Sequence, residues 1–253
     1  MNRKQVYLII LVLIITPLQV GNARLRNEMP PNLISFQNTV QRQADKYPDF
    51  FHLEAPTEAF IALTFDDGPH AHNTPLILDI LKAEGIKATF FVVGEQVRQY
   101  PKVAQRIVAE GHQIANHSWS HPDLRKVTDQ AILEKQLEPT SSLVEELTGV
   151  FPKFIRPPYG ALRDGTIEFL GTQGWQIINW SIDSFDWDPQ ENSVIAIVEK
   201  VKRYHHPGAI ILMHCNGANT VQTLPEVIDS LRDLGYQFKT VEELFTSHDS
   251  DAE

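Results

Sequence analysis

An α/β fold of parallel strands joined by helices is what this sequence predicts, and three features predict it. Short β-prone runs alternate with amphipathic segments of about 10–20 residues, the signature of βαβ units. Glycines close several of the amphipathic segments. Polar clusters rich in Asp, His and Arg recur just after β-prone runs. In a parallel barrel or open α/β sheet, the C-terminal ends of the strands share one face, where sites are built. Five separate loops can therefore meet in one pocket.

The elements follow in order. "AFIALTF" (59–65) reads as a buried strand and "TPLILDILKAEG" (74–85) as the helix returning from it. "KATFFVVG", "YPKVAQRIVAEG" and "HQIANHS" repeat that alternation over residues 87–118. A helical stretch at 129–149 leads to "KFIRPPYG" (153–160), then to a helix at 163–174 and the β-prone "WQIINWSID" (175–183). "SVIAIVEKVKRYH", "GAIILMHC", "LPEVIDSLRDLG" and "YQFKTVEELF" complete the series. Gly85, Gly111, Gly149, Gly174 and Gly235 mark helix exits, because glycine takes the left-handed position after a helix without a Cβ clash.

Upstream, Arg3 and Lys4 precede an unbroken apolar run from Val6 to Ile15, and Pro17 ends it. Gly21-Asn22-Ala23 then presents small residues where a signal peptidase reads. A secretory signal at 1–23 is expected, with an uncleaved anchor as the alternative; the apolar run is short of the ~20 residues a membrane span needs. No stable span is expected after cleavage, and the mature chain belongs outside the cell or in the envelope. Residues 24–57 read as a peripheral helix and linker, 58–246 as the main domain, and 247–253 as an acidic tail.

The 253 residues carry a formal charge of −10, which argues against nucleic acid as the partner. Cys215 is the single cysteine, so no intrachain disulfide forms. It follows His214, but "HC" is a weak signal for a Cys/His nucleophile, and a secreted free thiol is prone to oxidation.

The chemistry concentrates in five motifs. Adjacent Asp66 and Asp67 in "TFDDGP" repel each other unless a cation stands beside them. "HSWSH" offers His117 and His121, with Pro122 disfavouring a helical His121. Two imidazoles and one carboxylate make a catalytic site for zinc or a similar divalent ion. The second carboxylate is then placed to take a proton from water. Arg156 in "RPPYG" suits pairing with a carboxylate that needs orienting. His214 ends an apolar run and suits a general acid, with Asp183 or Asp186 of "DSFDW" as the carboxylate that keeps it protonated. Trp119, Tyr159 and Trp187 are candidates for stacking on sugars, or for the core.

In this order, "TFDDGP", "HSWSHP", "RPPYG", "DSFDW" and "LMH" resemble the five motifs of the NodB-type polysaccharide deacetylases, carbohydrate esterase family 4, over about residues 58–246. The resemblance implies a distorted (β/α) barrel. It implies Asp66 as catalytic base, and Asp67, His117 and His121 as ligands of a divalent metal, zinc first, with cobalt, nickel, manganese or iron as alternatives. Arg156 would position Asp66, and the backbone N–H of Tyr159 would help hold the oxyanion. His214 would be the acid tuned by Asp186, while Trp187 and Leu212 would wall the acetyl pocket. Cys215 departs from the aspartate common at that place, which points to substrate fit or redox sensitivity.

The function so implied is hydrolysis of N-acetyl groups on N-acetylglucosamine units, in peptidoglycan or a chitin-type glycan. An acetylxylan esterase of the same family is the alternative. A metallophosphoesterase is disfavoured, since Arg156 is the one evident phosphate clamp. A non-catalytic glycan-binding relative would be expected to lack Asp66 or His214, and both are present. Oligomeric state is not legible.

Overall fold

The computed structural model describes residues 31–57 and 59–246. The expected signal at 1–23 and the tail at 247–253 lie outside the described residues. The chain divides into two compact units, Met1–Gln37 and Asn38–Glu253. A helix, Pro31–Lys46, crosses that boundary, and the sheet and the motif residues belong to the second unit. None of the described helices is long and apolar enough to cross a membrane.

Among the described residues, nine strands form one parallel sheet: β1 (Phe51–His52), β2 (Phe60–Gly68), β3 (Thr89–Val92), β4 (Gln113–Asn116), β5 (Phe154–Ile155), β6 (Gln176–Ile178), β7 (Ile182–Asp183), β8 (Ile210–His214) and β9 (Gln237–Phe238). Their order is β1-β6-β5-β4-β3-β2-β8-β7, with β9 added on β2. The sheet curls into a distorted barrel with helices outside it, as the sequence leads one to expect. The five glycines at helix exits all have left-handed φ.

Two features differ from the reading of the sequence. Residues 47–57 are not only a linker, because Phe51 and His52 pair with Ile177 and Ile178 as an edge strand. The run "WQIINWSID" is also not one strand. It splits into β6 and β7, which belong to opposite ends of the strand order. Residues 179–181 cross between them: the Asn179 N–H donates to His52 O (2.8 Å) and the Ser181 N–H to Ile210 O (3.1 Å). Both halves of the run are equally β-prone, so composition alone does not locate the break.

Strand alternation sorts the core into two layers. Ala62, Phe91, Ala115, Ile178 and Ile210 fill the barrel with Val241 and Leu244 of the helix Val241–Thr246. Leu63, Phe65, Phe90, Val92, Ile211 and Met213 face the outer helices. That final helix closes the barrel at the strand N-termini, where the Val241 N–H donates to Thr89 Oγ1 (2.9 Å). The opposite end, at the strand C-termini, stays open.

Candidate metal and acid-base site

Both carboxylates of "TFDDGP" lie inside β2, not after it. Successive strand residues normally face opposite ways. Here the register shifts between Phe65 and Gly68, and Asp67 takes φ 63°. Alternation breaks at that point, so Asp66 and Asp67 both reach the barrel mouth.

His117 follows β4, with its Nδ1 2.7 Å from the Arg156 carbonyl oxygen. A carbonyl only accepts, so Nδ1 donates to it and Nε2 is the ring nitrogen that faces the mouth. That Nε2 lies 3.5 Å from Asp67 Oδ1, and His121 Nε2 lies 3.4 Å from the same oxygen. His121 is left-handed at φ 55°, outside the right-handed helical region that Pro122 disfavours. Ser118 supports it: its Oγ accepts from the His121 N–H (3.0 Å), and its own N–H donates to Asn116 Oδ1 (2.8 Å). One donor atom each from Asp67, His117 and His121 lie within 4.8 Å of one another. Two neutral imidazole nitrogens and a carboxylate oxygen are a donor set that fits zinc. Asn216 Nδ2 meets the other Asp67 oxygen at 3.3 Å.

Arg156 is fully buried and all its bonds point into the barrel. Nη1 donates to Asp66 Oδ1 and Thr64 Oγ1 (2.8 Å each), Nε to Ile178 O (3.2 Å) and Nη2 to Asn179 O (2.9 Å). Its plane lies over the Phe91 ring at 4.1 Å. A buried guanidinium is tolerable when its donors are spent this way.

On the neighbouring strand, His214 is the register partner of Asp66. Its Nδ1 is 2.7 Å from Asp186 Oδ1, while Asp186 Oδ2 accepts from the His214 N–H (2.8 Å) and from Thr220 Oγ1. Burial pulls His214 down, but the Asp186 hydrogen bond and the charges of Asp186, Asp66 and Asp67 outweigh it and push it up to about 9. Of the two candidate partners, Asp186 is therefore the one in contact. Asp183 instead accepts from the Phe185 N–H (2.8 Å) and Trp187 Nε1 (3.3 Å), and burial pushes it up to about 6.

Tyr159 and Trp187 are exposed, and the Tyr159 ring meets His121 edge-on at 4.9 Å between centroids. Leu212 is buried on the inward face of β8, opposite Thr64. Trp119 is different: its ring packs against Gly94 and lies 5.3 Å from Arg98, so it serves packing. Cys215 faces the outer layer, fully buried, and burial pushes its thiol up. The expected exposure to oxidants meets a thiol without surface. Thr64, Asn179 and Thr220 complete the network, and of the three Thr64 alone lies within a motif, "TFDDGP". Thr64 alone was reachable, two residues before Asp66 on the same strand face.

The chain is similar to a known group of proteins. Residues 54–178 match the polysaccharide deacetylase family model. A peptidoglycan-N-acetylglucosamine deacetylase of Bacillus cereus is 36% identical over 87% of this chain and 84% of its own length. The chain belongs to the NodB-type polysaccharide deacetylases, carbohydrate esterase family 4. The deacetylase PgdA of Listeria monocytogenes is 37% identical over 92% of this chain but 49% of its own length, so the chain spans about half of that relative. The solved Bc1960 peptidoglycan N-acetylglucosamine deacetylase superposes with a TM-score of 0.72 at 37% identity, covering 77% of this chain and 92% of that one. The family-model match ends at residue 178, before Asp183, Asp186, Trp187 and His214.

Proposed function

We propose that this protein is a metal-dependent deacetylase of the cell envelope that removes N-acetyl groups from N-acetylglucosamine units of peptidoglycan. The observation that carries the reading is one mouth holding three convergent ligand atoms, a carboxylate clamped by Arg156, and a histidine clamped by Asp186. The names of the Bacillus cereus and Listeria relatives favour peptidoglycan over chitin. A signal cleaved after Ala23 would deliver the chain to that compartment.

Asp67, His117 and His121 would hold the ion. When bound, a divalent ion supplies Lewis-acid charge that polarises an acyl oxygen and acidifies water. Asp66 takes the proton of the attacking water, and Arg156 keeps the receiving oxygen aimed at the mouth. Water adds to the acetamide carbon and an oxyanion develops. The Tyr159 N–H donates to that oxyanion, a contact of a kind worth about 3–4 kcal/mol in other enzymes. His214 is pinned through Nδ1, so Nε2–H faces the site and passes its proton to the leaving nitrogen. The C–N bond breaks, giving acetate and a free amine. An amine leaves an acyl centre badly without a proton, which is why a base and an acid both stand here. Trp187 and Leu212 would enclose the methyl group.

A second substrate reading is acetylxylan, because the Xyl-CE4 domain of a multidomain xylanase is 37% identical with a TM-score of 0.70. Acetate release from peptidoglycan, chitin oligomers and acetylxylan, with and without chelator, tests both. We expect release from peptidoglycan that chelator stops and zinc restores. Release that survives metal removal would refute the reading, and release from xylan alone would replace the substrate.

A further inference from the structure

One buried residue outside the motifs ties the two sides of the proposed mechanism together. Asn179, 1% exposed, lies where the chain crosses from β6 to β7. Its N–H donates to His52 O on the edge strand (2.8 Å), and its carbonyl accepts from Arg156 Nη2 (2.9 Å). Its side-chain Nδ2 donates to Gly160 O (2.9 Å). The same residue thus holds the guanidinium that orients Asp66 and the turn that carries the Tyr159 N–H.

That turn needs holding. Tyr159 (φ 61°) and Gly160 (φ 65°) are consecutive left-handed residues, an uncommon state for tyrosine. A hydrogen bond from the Gly160 N–H to Pro157 O (2.9 Å) closes it on one side. Asn179 Nδ2 secures the carbonyl on the other. Meanwhile Asn179 Oδ1 is buried with no hydrogen-bond partner. A buried acceptor left unsatisfied costs stability that an apolar side chain of similar size would avoid. The one side-chain hydrogen bond the carboxamide makes is the one that holds the Gly160 carbonyl.

Resting on the deacetylase reading above, we propose that Asn179 is a positioning residue that fixes the Tyr159–Gly160 turn relative to the Arg156–Asp66 pair. It sets the direction of the oxyanion-binding N–H against the line of water attack. Asn179→Leu and Asn179→Ala in the full, zinc-loaded chain test this by acetate release from an N-acetylglucosamine oligomer. We expect kcat to fall about 10- to 100-fold with KM within about threefold, since small misplacements of a preorganised donor cost rate and not binding. Zinc per chain should match wild type; the melting temperature should fall in both variants, which leave the buried Gly160 carbonyl without its donor, so kcat per zinc-loaded chain is the deciding readout.

A purely structural role would lower the zinc-loaded fraction and leave kcat per loaded chain unchanged. That result, or failure of both variants to fold, overturns the proposal. The double variant Asn179→Ala with Gly160→Ala should lose no more than the worse single, because both act on one turn. Full additivity overturns it as well. Wild type without acetate release would bring down the deacetylase reading and this proposal together. An active wild type beside fully active variants would bring down the positioning role alone.

Discussion

Two carboxylates stand at the barrel mouth in closely matched settings: Asp66 on β2 and Asp186 just after β7. Both are buried and both touch a basic side chain. The partners differ in one property. Arg156 keeps its charge at every pH a protein tolerates, whereas His214 gives up its proton near pH 9. A permanent cation with fixed donors orients the carboxylate that receives a proton. A titrating partner turns the other pair into a proton donor. The same residue type thus becomes base or tuner according to the cation placed against it.

The largest test of that contrast is Asp66→Asn. The amide keeps the shape and a contact to Arg156 but accepts no proton from water. Turnover should fall by about 10²–10⁴-fold, the range general-base catalysis covers. Bound zinc, read by elemental analysis, should stay at the wild-type level, because Asp67, His117 and His121 are untouched. Unchanged turnover would remove Asp66 from the base role, and loss of the ion would make it a ligand instead.

Asp186→Asn probes the other pair, and its effect should be smaller and dependent on pH. In the wild type the His214 proton should limit the basic side of the rate profile at or below about pH 9, an ion in the mouth pulling the limb lower. Without the Asp186 hydrogen bond and charge, burial is opposed only by the charges of Asp66 and Asp67, so the limb should move towards acid. The wild-type pair also contributes to stability. A folded value near 9 against about 6.5 unfolded is worth on the order of 3 kcal/mol. That contribution is complete below about pH 6.5 and is lost as pH rises through 9. Asp186→Asn should remove it, flattening the stability curve over that window. A limb that stays in place would detach His214 from Asp186.

Much of this arrangement is legible in the sequence. The parallel sheet announced itself through apolar runs ending at glycine-closed helices, and the motif residues all fall at strand C-termini. What composition does not carry is tertiary register. The left-handed Asp67 that brings two adjacent carboxylates to one side arises from a bulge between β2 and β3, which no local preference of Asp-Asp signals. The break inside "WQIINWSID" depends on which edge each half joins. The choice of Asp186 over Asp183 rests on the turn at Phe185 (φ 58°), which the two carboxylates enter from opposite sides in sequence. Thr220, at the start of a helix 34 residues beyond Asp186, is out of reach of any spacing rule.

Asp183 supplies the smallest expected effect on turnover and the sharpest contrast with Asp186. It ends β7 three residues before Asp186, is partly buried where Asp186 is fully so, and has no hydrogen bond to His214 among its contacts. Burial pushes it up to about 6, ahead of the opposing Phe185 N–H and His214 charge. The native state therefore holds the Asp183 proton longer than the unfolded chain does. Stability falls between about pH 4 and 6 on its account, by on the order of 3 kcal/mol. Asparagine removes that titration while its oxygen still accepts from Phe185 N–H and Trp187 Nε1. Asp183→Asn should therefore leave kcat within about threefold, as expected for a group outside proton transfer. It should also raise the unfolding free energy at pH 7 relative to wild type, with the gain vanishing near pH 4. Denaturant melts across that interval read the gain directly. A hundredfold loss of turnover would mean that Asp183, through the indole it holds, belongs to the reacting machinery after all.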